Sequence, residues 1–115
     1  MTAVITRYSI RPECWDRLGS IARIMFRIDV TLADPDTDRW AITHAGQLLN
    51  RANQWHYEPA PSERTPGWAK AHQFELQDAI RRAEAIVETM VVAGETADQC
   101  ADREERQRAQ GGEDQ

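Results

Sequence analysis

Three histidines, His44, His56 and His72, are the side chains that ordinarily titrate near neutrality, which makes them the first candidates for proton transfer or metal ligation. His44 and His56 are twelve residues apart, so they are not a pair on adjacent helical turns. His72 with Glu75 makes one His-x-x-Glu step able to offer two ligands from one helical face. A zinc or iron site needs three or four converging ligands, and no second such step exists in the chain. Cys14 beside Trp15 sits in apolar surroundings of the kind that raise a thiol pKa, and no serine stands in a Gly-x-Ser-x-Gly setting. The glycines do not cluster ahead of the C-terminal segment, so no phosphate-cradling loop is present. Glu84 and Glu88, one turn apart, resemble half of the paired carboxylates of metal-dependent hydrolases; the helix expected before them has no carboxylate after Asp38 to supply the other half. These residues predict no catalytic centre, no metal and no cofactor, with a small metal-dependent hydrolase as the enzymatic alternative.

Two groups of residues point instead to binding. Arginine outnumbers lysine 13 to 1. Arg7, Arg23 and Arg27 fall on the polar phases of two predicted strands, where they would form a basic face able to meet phosphates electrostatically. Against nucleic-acid binding, only Met25 and no aromatic interleaves on that face for stacking, and the whole chain carries net charge -5. The second group is aromatic. Trp55, Tyr57 and Trp68 flank a proline-rich loop containing Pro59 and Pro61, and tryptophan and tyrosine dominate interface hot spots. Trp55, Tyr57, Pro59, Pro61 and Trp68 are therefore the candidate partner-binding residues, the competing role being a zip between two helix ends.

The elements that must position these residues follow from pattern. At 115 residues and 13.1 kDa, with 41% apolar and 29% charged residues, the chain suits one domain. It has no apolar run long enough to span a bilayer and no signal-peptide pattern, so a cytoplasmic protein without a membrane partner is expected. Cys14 and Cys100 lack the spacing of a zinc knuckle or disulfide scaffold. Residues 1–94 hold 11 basic and 12 acidic side chains, against 3 and 7 in residues 95–115. The first stretch is expected to be a single compact domain. The second reads as an acidic polar tail, partly helical or flexible.

Residues 2–10 are rich in β-branched residues and read as a strand. Ile24, Phe26, Ile28, Val30 and Leu32 alternate, predicting a second strand over 22–32; Cys14, Leu18, Ile21, Met25, Ile28 and Leu32 offer a competing helical stripe. Asp34-Pro35 resembles a helix start, and Ala41, Ala45, Leu48, Ala52 and Trp55 extend it at spacings of 4, 3, 4 and 3, predicting a helix over 35–56. A turn at Asp34–Asp38 leading into a short strand Arg39–His44, with the helix starting only near Gly46, is the alternative. Beyond the proline loop an apolar stripe from Trp68 to Met90 predicts a helix over 67–93, ending before Gly94.

The expected architecture is α+β: an antiparallel hairpin or small sheet packed on an antiparallel pair of long helices, with an all-α bundle as the alternative. A two-stranded sheet is marginal alone, and its free edges invite a third strand or another subunit. The expected function is that of a non-enzymatic interaction protein, a homo-oligomer that also binds a protein partner of unknown identity. A short, arginine-rich, motif-poor chain of this kind fits an accessory or assembly factor of a phage or mobile element.

Overall fold

Alternating apolar residues become a strand only where a neighbour pairs with them, and from Ile28 onward the chain finds such neighbours in succession. In the computed structural model, which describes residues 3–34, 36–57, 59 and 65–113, five strands form one antiparallel sheet. They are β1 (Arg7–Ile10), β2 (Ile28–Asp34), β3 (Arg39–His44), β4 (Gln47–Leu49) and β5 (Trp55–Tyr57), neighbouring one another in chain order. The helices are α1 (Ser20–Met25), α2 (Pro66–His72), α3 (Leu76–Thr89) and α4 (Ala97–Glu113), with a single 3-10 turn at Trp15–Arg17. The fold is α+β, as the alternation had indicated.

Two compact units divide the chain: residues 1–10 with 28–83, and residues 11–27 with 84–115. The first holds the sheet, α2 and the start of α3. Its deepest side chains are Ile28, Val30, Ile42, Leu49 and Phe74. The second unit packs Cys14, Leu18, Ala22 and Phe26 against Ala97, Cys100 and Ala101, with Met25, Met90 and Val92 at the margin.

Several predicted boundaries are corrected. The first strand runs over Arg7–Ile10 rather than 2–10. The second begins at Ile28, not at 22, because Ile28 is where pairing with Ile10 starts. Residues 20–25 ahead of it are helical, burying Ala22 and leaving Ile21 and Ile24 outward. Helix and strand are thus both present, in adjacent segments, but α1 buries neither Ile21 of the helical stripe nor Ile24 of the strand alternation.

The helix expected over 35–56 is absent: β3, β4 and β5 occupy that stretch. Trp40, Ile42 and Thr43 favour strand, and Asp34 closes a turn instead of capping a helix, its carboxylate accepting from the Asp36 amide at 3.0 Å. That bond and the Thr37 hydroxyl hold the Asp34 carboxyl below the usual carboxylate range.

The helix expected over 67–93 is broken into α2 and α3, because Phe74 serves the sheet. Its N–H and C=O both bond Trp40, at 2.8 Å each, so the helix must stop there. The chain also does not reach Gly94 as helix; α3 ends at Thr89.

Residues 97–113, read as tail, form α4. Thr96 and Gln99 cap it reciprocally: the Gln99 amide donates to Thr96 Oγ1 at 3.3 Å and the Thr96 amide to Gln99 Oε1 at 2.9 Å. The acidic residues beyond meet basic or amide groups of residues 17–19. Arg17 holds Glu105 at 2.6 Å and also bonds Asp102, while the Gly19 amide donates to Glu104 at 3.2 Å.

An Ala-Gly pair makes two tight turns of the same kind. His44 and Gln47 flank Ala45 (φ 50°) and Gly46 (φ 80°); Val92 and Glu95 flank Ala93 (φ 52°) and Gly94 (φ 84°). Positive φ at both central residues is the type I′ pattern, which suits glycine and asparagine and strains alanine by about 1 kcal/mol. Ala45→Asn is therefore expected to raise stability by about 0.5–1 kcal/mol, and Gly46→Ala to lower it by a similar amount. Urea midpoints of the two variants check both signs.

Candidate functional site

Cross-strand register decides which side chains share a face. Thr31 lies opposite Ala41, Thr43 opposite Leu48, and Leu48 opposite His56, so these residues line one face of the sheet. Val30, Ile42, Leu32 and Trp40 belong to the other, on which Val30 and Ile42 are fully buried. The first face is polar and only partly covered. What covers it is α2.

α2 starts at Thr65, whose hydroxyl accepts from the Trp68 amide at 3.1 Å, with Pro66 in the first helical position. This fixes Trp68 and His72 one turn apart. Their rings stack at 4.8 Å with planes 18° apart. The His72 ring also meets the His56 ring edge-on at 5.8 Å, which places α2 over the Thr31–Leu48 face. His72 Nδ1 lies 2.8 Å from the Trp68 carbonyl. A carbonyl only accepts, so Nδ1 carries the proton. His72 is buried, and among the described residues its Nε2 has no hydrogen-bond partner.

Between α2 and the sheet lies a cavity of about 300 Å³. Trp68 and Gln73 line it from the helical side; Thr31, Ala41, Thr43 and Leu48 line it from the sheet. Among the described residues that line it, none has an ionisable side chain.

The sequence-derived aromatic candidates distribute as follows. Trp55 and Tyr57 lie on the edge strand β5; Trp55 is half-buried against the His44 ring at 5.7 Å, and Tyr57 is 76% exposed. Trp68 is in α2, stacked on His72, and does not zip to Trp55 across helix ends, because Trp55 is on a strand. Pro59 is half-buried, and Pro61 lies outside the described residues.

The arginine group is not one face. Arg7 is on β1, but Arg23 is in α1 and Arg27 follows it, so neither of the latter is on a strand. Arg23 donates to the Trp15 carbonyl at 3.1 Å and lies over the Trp15 ring at 5.6 Å. Among the described residues, no three His, Cys, Asp or Glu side chains converge as metal ligands, and no helix is long and apolar enough to cross a membrane.

Sequence reasoning missed a second surface, in the other unit. On α1, Ile21 is 74% and Ile24 69% exposed, one turn apart. Beside them runs an apolar groove of about 250 Å³, lined by Ile21, Met25, Phe26, Val92 and Ala93. Of its bordering charges, Arg103 pairs with Glu95 at 2.9 Å, and Glu104 accepts a hydrogen bond from the Gly19 amide. The signal was available, since the helical stripe through Ile21 and the strand phase through Ile24 could not both be buried. Cys14 and Cys100 lie beneath this surface as packing residues; burial, followed by the nearby Asp98 carboxylate, pushes the Cys14 thiol up to about 11.

No family model, curated protein or solved structure matches this chain. The class is thus defined by its own geometry: a five-stranded antiparallel meander with a helix-covered polar face, and a helical unit with an uncovered apolar patch.

Proposed function

We propose that this is a non-enzymatic interaction protein that self-associates through α1. The observation that carries the reading is the pair Ile21 and Ile24, each more than two-thirds exposed beside an apolar groove. Contiguous exposed apolar surface next to a concave pocket is the usual mark of an interface. The aromatic candidates offer less to a protein partner, because Trp55 is half-buried against His44 and Trp68 lines the cavity under α2.

A second copy is the occupant that fits. An isologous contact sets like against like, which is tolerable only where a patch holds no uncompensated charge. Around Ile21 and Ile24, Arg103 is neutralised by Glu95, while Glu104 and Arg23, of opposite sign to one another, are each held by a backbone group, the Gly19 amide and the Trp15 carbonyl. A partner selected by charge would need the opposite, an unmatched cluster of one sign.

Sedimentation velocity across a concentration series tests the reading. The wild type is expected to reach twice its 13.1 kDa mass at about 100 µM, a modest affinity suited to a small patch, and Ile21→Ser/Ile24→Ser to stay monomeric with its melting temperature preserved. A wild type that remains at 13.1 kDa throughout would rule out self-association by this surface.

A further inference from the structure

We infer that the cavity between α2 and the outer face of the sheet is a binding site for a small, uncharged heteroaromatic ring bearing hydrogen-bond donors and acceptors, of the nucleobase type. Four features of the cavity define that chemistry, and none depends on the α1 surface.

Size comes first. About 300 Å³ stands at the small end of ligand pockets, enough for a ring system and too little for a dinucleotide or a peptide segment. Charge comes second. With no ionisable residue among the described lining residues, a phosphate or carboxylate entering it would lose hydration and gain no counter-charge from them. The ligand is therefore neutral.

The third feature is the wall. Trp68 is held by its stack on His72 at 4.8 Å and by the His72 Nδ1–H bond to its carbonyl at 2.8 Å, so the indole is fixed before any ligand arrives. A planar ring gains most from a preset aromatic wall. The fourth is the set of polar groups. Among the described residues, neither the Thr31 hydroxyl nor the Gln73 carboxamide has a hydrogen-bond partner, although the Gln73 backbone is fully engaged by Ala69, Arg39 and Arg51. A hydroxyl and a carboxamide each donate and accept, which matches the mixed edge of a nucleobase. A sugar fits less well: Leu32, Ala33, Ala41 and Leu48 are apolar and the Thr43 hydroxyl is already given to the Asp29 carbonyl, which leaves Gln47 as the one further polar side chain among the described lining residues, too few for several sugar hydroxyls.

The test is a titration of the isotope-labelled full chain with uracil and with adenine, followed by amide and indole N–H shifts. Methyl glucoside and benzoate serve as sugar and anion probes, and uridine monophosphate separates a free base from a phosphate-bearing one. Saturable shifts confined to the Trp68 indole and to residues 31, 41, 43 and 73 are expected with a free base at millimolar concentration or below. Gln73→Leu should weaken that binding about tenfold without moving the melting temperature. Thr31→Val, nearly isosteric, gives the same readout if Gln73→Leu disturbs the fold, and Ala33→Leu at the exposed rim should close the cavity. The inference is overturned if neither base gives saturable shifts by about 10 mM, a limit beyond which binding is too weak to be specific. It is equally overturned if methyl glucoside, benzoate or uridine monophosphate binds more tightly than the bases, or if the polar-group variants bind as the wild type does.

Discussion

A chain ending at Thr96 is expected to lose the cooperative unfolding of the unit formed by residues 11–27 and 84–115. α4 contributes Ala97, Cys100 and Ala101 to a cluster whose other members are Cys14, Leu18, Ala22 and Phe26. Uncovering Leu18 and Phe26 alone forfeits about 1.5–3 kcal/mol each, and the whole loss is comparable to the 5–15 kcal/mol that holds an ordinary domain together. The ion pairs of Arg17 with Asp102 and Glu105 are the lesser term, because their side chains are 39%, 57% and 46% exposed and such pairs contribute about 0–1 kcal/mol. Ala101→Asp makes the same case without shortening the chain, since it places a carboxylate where the side chain is fully buried, at a cost of several kcal/mol. Trp15 reports on this unit, the other tryptophans being in the first one, so its fluorescence during urea unfolding reads the effect. If the shortened chain keeps the midpoint of the full one, α4 is a solvated extension after all.

That outcome also shows where sequence reasoning stopped short. Residues 95–115 contain only alanines and one cysteine as apolar residues, which by amount cannot build a core. They need not build one, because Ala97, Cys100 and Ala101 let a helix approach Phe26 and Leu18 closely, and those large side chains come from 71 to 83 residues earlier in the chain. The capping box Thr96-Ala97-Asp98-Gln99 was the legible local sign, and Asp102, Glu104 and Glu105 were legible as charges but not as partners of residues 17–19.

The α+β class and the strands β1 and β2 could be read because Tyr8, Ile10, Ile28 and Val30 keep a strict alternation. β3 to β5 could not. In a stretch as short as β4, Gln47–Leu49, three residues give no period, and Ala41, Ala45, Leu48 and Ala52 matched a helix by coincidence of spacing. The site was half legible. Trp68 and His72 stand one turn apart in any helix, but only the register of β2, β3 and β4 reveals which sheet residues they face.

Phe74→Ala is expected to be the most damaging single truncation in the first unit, at about 3–5 kcal/mol. Phe74 is fully buried, and two guanidinium groups lie over its ring, Arg51 at 4.7 Å and Arg82 at 5.0 Å from the centroid. Arg51 also donates to the carbonyls of Lys70 and Gln73, at 2.8 and 3.0 Å, and Arg82 pairs with Asp78 at 3.1 Å. The ring is thus the surface on which two arginines settle as they tie the α2–α3 junction. Removing it opens a cavity and leaves both cations without their aromatic face, each contact being worth about 0.5–2 kcal/mol. Phe74→Leu separates the two contributions: it keeps most of the apolar volume and the backbone bridge to Trp40, so it should cost only about 1–2 kcal/mol, chiefly the lost cation–π contacts. Urea unfolding of both variants decides it. A Phe74→Leu as unstable as Phe74→Ala would mean that the π face, not the filled volume, holds the junction; an unchanged Phe74→Ala would mean that the bridge to Trp40 alone is enough to stop the helix at residue 73 and carry the chain past the sheet edge.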